Sequence, residues 1–158
     1  MNIGILNLGL FHMTLNIYRV YKRKGIHSMS YEDNKKHAIF WDFDDSGKIE
    51  EVCQDLLFVQ EKYCLPAIYL VQSSIGKFHA YCFTARTFKE TIHIVSDSLL
   101  VDEWFLRLGC ARGYWTLRIN KRTERELKPL IILYSYYPNE QSGEVLSISD
   151  FITSNGGK

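Results

Sequence analysis

The chain has 158 residues, 46% hydrophobic and 14% aromatic, which is enough apolar mass for one compact domain with its own core and excludes a disordered chain. Its 19 basic and 18 acidic residues leave a net charge of +1, so no overall field announces nucleic acid, although a local basic groove stays open. Cys53, Cys64, Cys82 and Cys110 show no C-x-x-C spacing, which argues against a zinc knuckle and a disulfide framework and for free thiols in a reducing, cytoplasmic setting.

In chain order, the first fourteen residues are apolar but interrupted by Asn2, Asn7 and His12. No basic segment precedes them, and no run reaches the roughly 18 residues of a membrane span, so neither secretion nor a membrane partner is expected. Residues 3–22 carry many β-formers and read as one or two strands closed by the basic turn Lys22-Arg23-Lys24-Gly25. Residues 28–36 are polar and read as a linker, which makes 1–37 an N-terminal β-rich extension, 38–137 the core and 138–158 a tail of one domain. The core opens with the strand Ile39-Phe40-Trp41-Asp42-Phe43-Asp44. Side chains alternate across a strand, so Asp42 and Asp44 share one face while Ile39, Trp41 and Phe43 take the other.

Apolar residues from Ile49 to Val59 then recur at helical spacing, with Asp45 or Ser46 as N-cap. An apolar strand at 67–71 passes through Ser73-Ser74-Ile75-Gly76-Lys77 into a strand at 78–84, a hairpin with a polar tip. Thr87 caps a helix running to about residue 100, with Phe88, Ile92, Val95 and Leu99 on one face. A short helix or turn covers 102–108, a strand alternates over 114–120, and a charged loop at 120–128 leads to a last strand at 130–137.

Strand, helix, strand, strand, helix, strand is the α+β order of split βαβ sheets of the ferredoxin-like and RNA-recognition-like kind. There the first and third strands are central neighbours and the fourth lies beside the first. One open face would then carry Asp42 and Asp44, His79, and Thr116, Arg118 and Asn120, with the helices on the other. Close carboxylates repel and cost several kcal/mol if desolvated alone, so they are usually neutralised by a metal, a cationic side chain or solvent. The pair suits Mg²⁺ or Mn²⁺, hard cations that take oxygen ligands, while Lys77, His79 and Arg118 could hydrogen-bond phosphate oxygens. The plainer alternatives are a strand end turning into water at Asp44-Asp45-Ser46-Gly47, and a satisfied half-buried histidine between Phe78 and Tyr81.

An apolar strand ending in D-x-D, an amphipathic helix, a second apolar strand, a Ser-Gly turn and a strand bearing His together resemble the catalytic core of the archaeo-eukaryotic primase superfamily, especially primase-polymerases of plasmids and viruses. The hallmarks D-x-D, S-x-H and a third acid correspond here to Asp42-Phe43-Asp44, more loosely to Ser73 through His79, and to Asp102 in Leu100-Val101-Asp102, over roughly residues 38–120. The resemblance implies a metal-dependent nucleotidyltransferase acting in replication of a mobile element. Asp42, Asp44 and Asp102 would hold two divalent metals, and Ser73, Lys77, His79 and Arg118 would serve the nucleotide, with His79 on its phosphates. The implied partners are nucleoside triphosphates, a single-stranded DNA template and a helicase or other replication protein.

Lys121, Arg122, Arg125 and Lys128, and Lys22 to Lys24, are basic enough to follow a nucleic-acid backbone, though Glu124 and Glu126 dilute the first group and make a solvated loop the default. Tyr81, Tyr114, Tyr134, Tyr136 and Tyr137 offer rings for base stacking, or ordinary core and rim positions. Two other functions compete. One is a non-catalytic module binding single-stranded nucleic acid on the same sheet. The other is a rolling-circle replication initiator, for which His79-Ala80-Tyr81 lacks the second histidine.

Overall fold

A computed structural model describes residues 2–8, 11–16, 25–29, 35–44, 48–118 and 129–137. Among them the fold is α+β, with antiparallel strand pairing throughout and three helices. The N-terminal residues pair as a two-stranded ribbon of β1 (Asn2–Leu8) and β2 (Phe11–Asn16). There follow β3 (Gly25–His27), β4 (Lys36–Phe43), α1 (Ile49–Lys62), β5 (Ile68–Ser74), β6 (Lys77–Thr87), α2 (Phe88–Ser96), α3 (Glu103–Arg112), β7 (Thr116–Arg118) and β8 (Pro129–Leu133). The caps proposed at Asp45 and Ser46, the loop residues 120–128 with Asn120, the basic turn at 22–24 and the tail at 138–158 lie outside the described residues. No helix among the described residues is long and apolar enough to cross a membrane.

The central sheet has the order β4-β6-β5-β8. β6 is antiparallel to both β4 and β5, so those two run parallel with β6 between them, and α1 makes the connection. Between β4 and β6 the pairing is uninterrupted from Ile39↔Cys82 to Phe43↔Phe78, and a bulge breaks it between His37 and Ile39. The β5–β6 hairpin turns at Ile75-Gly76, where Gly76 has φ of 69°, a left-handed conformation that side-chain-bearing residues enter only at a cost.

The expected position of the fourth strand is corrected. Thr116–Arg118 pairs with β3, with Leu117 opposite Ile26, and residues 28–29 stand between that ribbon and β4. The cause lies in the stretch read as a linker. Ser28 is fully buried: its N–H donates to Trp115 O (2.8 Å), its carbonyl accepts from Ala38 N (2.8 Å), and its hydroxyl accepts from Trp115 N (3.0 Å) and meets His37 Nδ1 at 3.3 Å. One residue thereby takes the β-edge that β7 would otherwise have occupied.

Both faces of the sheet are packed. On one, Ile39, Trp41 and Phe43 join Phe78, Ala80 and Cys82 under Val52, Leu56 and Val59 of α1 and Ile94 and Val95 of α2. On the other, Phe40, Tyr81 and Phe83 pack against Ile26, Trp115 and Leu117, so the open face expected from the strand order is open at one end only. The alternation in β4 already contains this gradient, because one side reads Ala38, Phe40, Asp42, apolar first and acidic last, with Asp44 just past the strand end.

The helix ends follow local chemistry. The N-cap of α1 is Lys48, without a side-chain cap bond, and Glu50 and Glu51 offset the helix dipole instead. Thr87 and Glu90 form a full capping box on α2. That helix ends at Ser96, short of the expected residue 100, and Asp55 of α1 then holds the next turn by accepting from Ser98 Oγ, Leu99 N and Leu100 N. α3 is longer than expected. Asp102 caps its start and Gly113, at φ of 82°, ends it.

Gly109 in α3 is where the buried indole of Trp115 meets the helix, since a Cβ there would lie 1.9 Å from Trp115 Nε1. Helix propensity alone favours alanine over glycine by about 1 kcal/mol. The clash outweighs it, and Gly109→Ala is expected to lower stability by about 1–3 kcal/mol. Urea denaturation checks this, and a variant as stable as the parent would mean that Trp115 does not seat on α3.

Candidate functional site

The acidic strand and its neighbour set the site. Asp42 is paired in register with His79, one step from the end of the uninterrupted β4–β6 ladder. Asp42 Oδ1 lies 3.5 Å from His79 Nε2, close but without a hydrogen bond, and that oxygen is buried with no hydrogen-bond partner. Asp44 Oδ2 meets Lys77 Nζ at 2.9 Å across the hairpin end. Asp102 arrives from the far side of α2: its N–H donates to the Asp42 carbonyl at 2.8 Å, which fixes the third acid against the first, while its carboxylate Oδ1 accepts from Phe105 N at 2.6 Å as the cap of α3.

Ser73 stands far from His79 in sequence, but the hairpin folds it back. Val71 pairs with His79, Ser74 with Lys77, and a bulge at Ser73 lies between. The buried Ser73 hydroxyl donates to Lys77 O at 3.3 Å. Arg118 reaches the group from β7. Its carbonyl accepts from the Tyr81 hydroxyl at 3.5 Å, that hydroxyl sits 3.3 Å from His79 Nδ1, and Arg118 Nε is buried without a hydrogen-bond partner. Thr116 is exposed and is joined to His27 Nδ1 through its hydroxyl at 2.8 Å. The structure thus brings together Asp42, Asp44, Ser73, Lys77, His79, Asp102 and Arg118. Thr116 lies at the margin.

The electrostatics follow from this crowding. Burial, then the charges of Asp44 and Asp102, push the Asp42 carboxyl up to about 7, against a smaller pull from Lys77 and a hydrogen bond from Phe43 N–H. Burial, then repulsion from Arg118, brings His79 down to about 4, so the imidazole is neutral near pH 7 and offers hydrogen bonds rather than charge. Burial also raises the Tyr81 phenol, which stays protonated. Tyr81 is 4% exposed and stacked 6.3 Å from Phe83, so it belongs to the core and not to a stacking surface, whereas Tyr134 and Tyr136 are exposed.

Among the described residues no group of three or more His, Cys, Asp and Glu side chains is gathered in a metal-holding arrangement. The donors nevertheless fit a hard cation of the kind that keeps its own waters. Asp42 brings an unpartnered buried oxygen and Asp44, just past the strand end, a second carboxylate, and Mg²⁺ commonly binds through one or two carboxylates plus waters and substrate phosphates. Asp102 keeps its backbone anchor beside them, with one carboxylate oxygen engaged in the cap.

One feature was not foreseen. A cleft of about 230 Å³ runs from Asp42 and Asp102 along α3, past Trp104 and Phe105, to Arg112, and is closed on its other side by Tyr114 and Trp115. Trp104, Leu108 and Arg112 recur every fourth residue, a helical stripe visible in the sequence once the helix is extended beyond residue 108. No family model, no curated protein and no solved structure matches the chain.

The opposed shifts of Asp42 and His79 predict a pH signature. Asp42, raised in the folded state, binds its proton there but not when unfolded between about pH 4 and 7, so alone it makes stability fall as pH rises through that window. His79, lowered in the folded state, loses its proton on folding between about pH 4 and 6.5, so alone it makes stability rise. In the parent the two slopes largely cancel. His79→Gln is therefore expected to lose stability relative to the parent from pH 4 to 7, and Asp42→Asn to gain it from pH 4 to 6.5, each on the order of 3 kcal/mol. Denaturant melts across this range measure both, and parallel pH profiles for parent and variants would contradict the assignment.

Proposed function

We propose that the protein is a metal-dependent nucleotidyltransferase of primase or primase-polymerase type, joining nucleoside triphosphates into a short strand on a single-stranded DNA template in the replication of a mobile element. One observation carries this reading: Asp42, Asp44, His79, Lys77 and Arg118 converge at one end of a sheet face, with Asp102 tied to Asp42 by its backbone. The order of β4, β6 and β5, with α1 connecting the parallel pair, supports a split βαβ sheet of the primase kind.

Asp42 and Asp44 would hold Mg²⁺ or Mn²⁺, whose chemistry would be to offset the charge that develops as pyrophosphate leaves. The chain's own residues prepare the place. Asp42 and Asp44 set two carboxylates at one strand end, and Asp102 adds a third negative charge that keeps Asp42 demanding a counter-charge. Lys77 lies at the outer end, already 2.9 Å from Asp44, and can exchange that contact for a phosphate oxygen. His79, neutral and held by Tyr81, contributes a directed hydrogen bond, and Arg118 supplies positive charge beside it.

A second reading has its own support. Because Asp102 spends one oxygen on the cap of α3 and Asp44 is paired with Lys77, a fold that binds single-stranded nucleic acid without catalysis would look similar. Incorporation of labelled nucleotides on single-stranded template with Mg²⁺ or Mn²⁺ separates the two. The parent is expected to extend primers or make short products, and Asp42→Ala combined with Asp44→Ala to fall to background. Equal incorporation by both proteins would remove the catalytic role of the acids. Template binding without incorporation by the parent would leave the binding module.

A further inference from the structure

We infer that the cleft between α3 and the segment entering β7 is a nucleobase subsite, which takes the ring of the nucleotide by stacking while its phosphates lie toward Asp42 and Asp44. This rests on the nucleotide reading above and extends it to residues which that reading does not use.

Size is the first argument. At about 230 Å³ the cleft falls below the roughly 300–1,000 Å³ of pockets that enclose a whole drug-sized ligand, so it admits a ring and leaves sugar and phosphates outside. Its walls are the second. Trp104, Leu108 and Arg112 form the outer rim on α3, Phe105 and Gly109 lie deeper, and Tyr114 and Trp115 face them. Trp104 is 68% exposed, a large apolar ring left in water on a surface helix. It is also held: Arg107 lies over the ring at 5.6 Å and is itself fixed by Glu103 at 2.5 Å. Tyr114 is held likewise, by the edge of His27 with ring centres 5.0 Å apart. Rings fixed in advance lose little freedom on binding, which favours stacking affinity.

Continuity is the third argument. Asp42 lines the cleft and also lies 3.5 Å from His79, so a ring seated against α3 has its sugar side directed at the acids. Most of the lining is ring or apolar surface, with Asp42, Asp102, Arg112 and Thr116 as its polar side chains. Recognition by the flat face alone tolerates every base and favours the larger rings, purines over pyrimidines.

The test uses the full chain and nucleosides, which carry no phosphate, in the presence of EDTA. Adenosine and guanosine are expected to bind about equally and cytidine and thymidine more weakly, read by saturation-transfer NMR on the base protons and by quenching of tryptophan fluorescence. Stacking is worth about 1–3 kcal/mol per base, so Trp104→Ala should weaken adenosine about ten- to hundredfold. Trp104→Phe should restore most of the binding, and Phe58→Ala, an exposed ring on α1, should leave it unchanged. Adenosine binding that is absent, or equal in parent and Trp104→Ala, overturns the subsite. The two claims fail separately. Adenosine binding that survives Asp42→Asn plus Asp44→Asn, in a parent that incorporates no nucleotide, leaves the subsite standing and removes the transferase. Metal-dependent incorporation indifferent to Trp104 does the reverse.

Discussion

The arrangement of this protein depends on a single buried serine. Ser28 exchanges backbone hydrogen bonds with Trp115 and Ala38 and spends its hydroxyl on the Trp115 amide, so two strands that are not neighbours are tied through one residue. A buried hydroxyl is tolerated only when its bonding capacity is filled, and here its partners are backbone groups and His37. With Trp115 fixed at that point, its indole seats on Gly109 and sets the position of α3. The cap of α3 is Asp102, and so the third acid is placed beside Asp42 by a chain of contacts that begins at Ala38, further along the same edge strand.

Much of this was legible in the residues. The alternation of Ile39, Trp41 and Phe43 against Asp42 and Asp44 fixed which side each takes, Thr87 marked a helix start, and the Ser-Gly turn marked the hairpin. What was not legible has physical reasons. Ser28 looked like linker because a polar residue in a polar stretch gives no sign that tertiary hydrogen bonds will bury it. The strand Thr116–Arg118 looked like the neighbour of Lys36–Phe43 because strand order alone cannot tell that a third segment will claim the edge. The sequence offers Asp102 as a third acid without its role as a helix cap, and its capping geometry and its proximity to Asp42 are one fact. The charge state of His79 was hidden for the same reason as Ser28, since burial and Arg118 act on it only in the folded chain.

The site and the second core share their strands. Along β4 the face that begins with Ala38 and Phe40 ends with Asp42, and along β6 it runs from Phe83 and Tyr81 to His79. Packing on the apolar half excludes water from one side of Asp42 and leaves the other side toward the cleft, which is why this carboxyl is pushed up so far. Tyr81, backed by Phe40, holds His79 through its hydroxyl. Polar chemistry at the end of a strand therefore borrows its rigidity from apolar packing further along the same strand.

The β4–β6 ladder is bounded on one side by the bulge after His37 and ends on the other near the hairpin, which leaves five consecutive pairs between Ile39 and Phe43 undisturbed. A change of side-chain face requires a slip by one residue, and the bulge absorbs irregularity before it can travel into that block. Lengthening or shortening the chain around α2 would then be taken up beyond Ala38, and the acid would still meet the imidazole. The pairing of Asp42 with His79 is thereby insulated from changes of length around α2, so insertions there offer a place to append new segments without retuning the site.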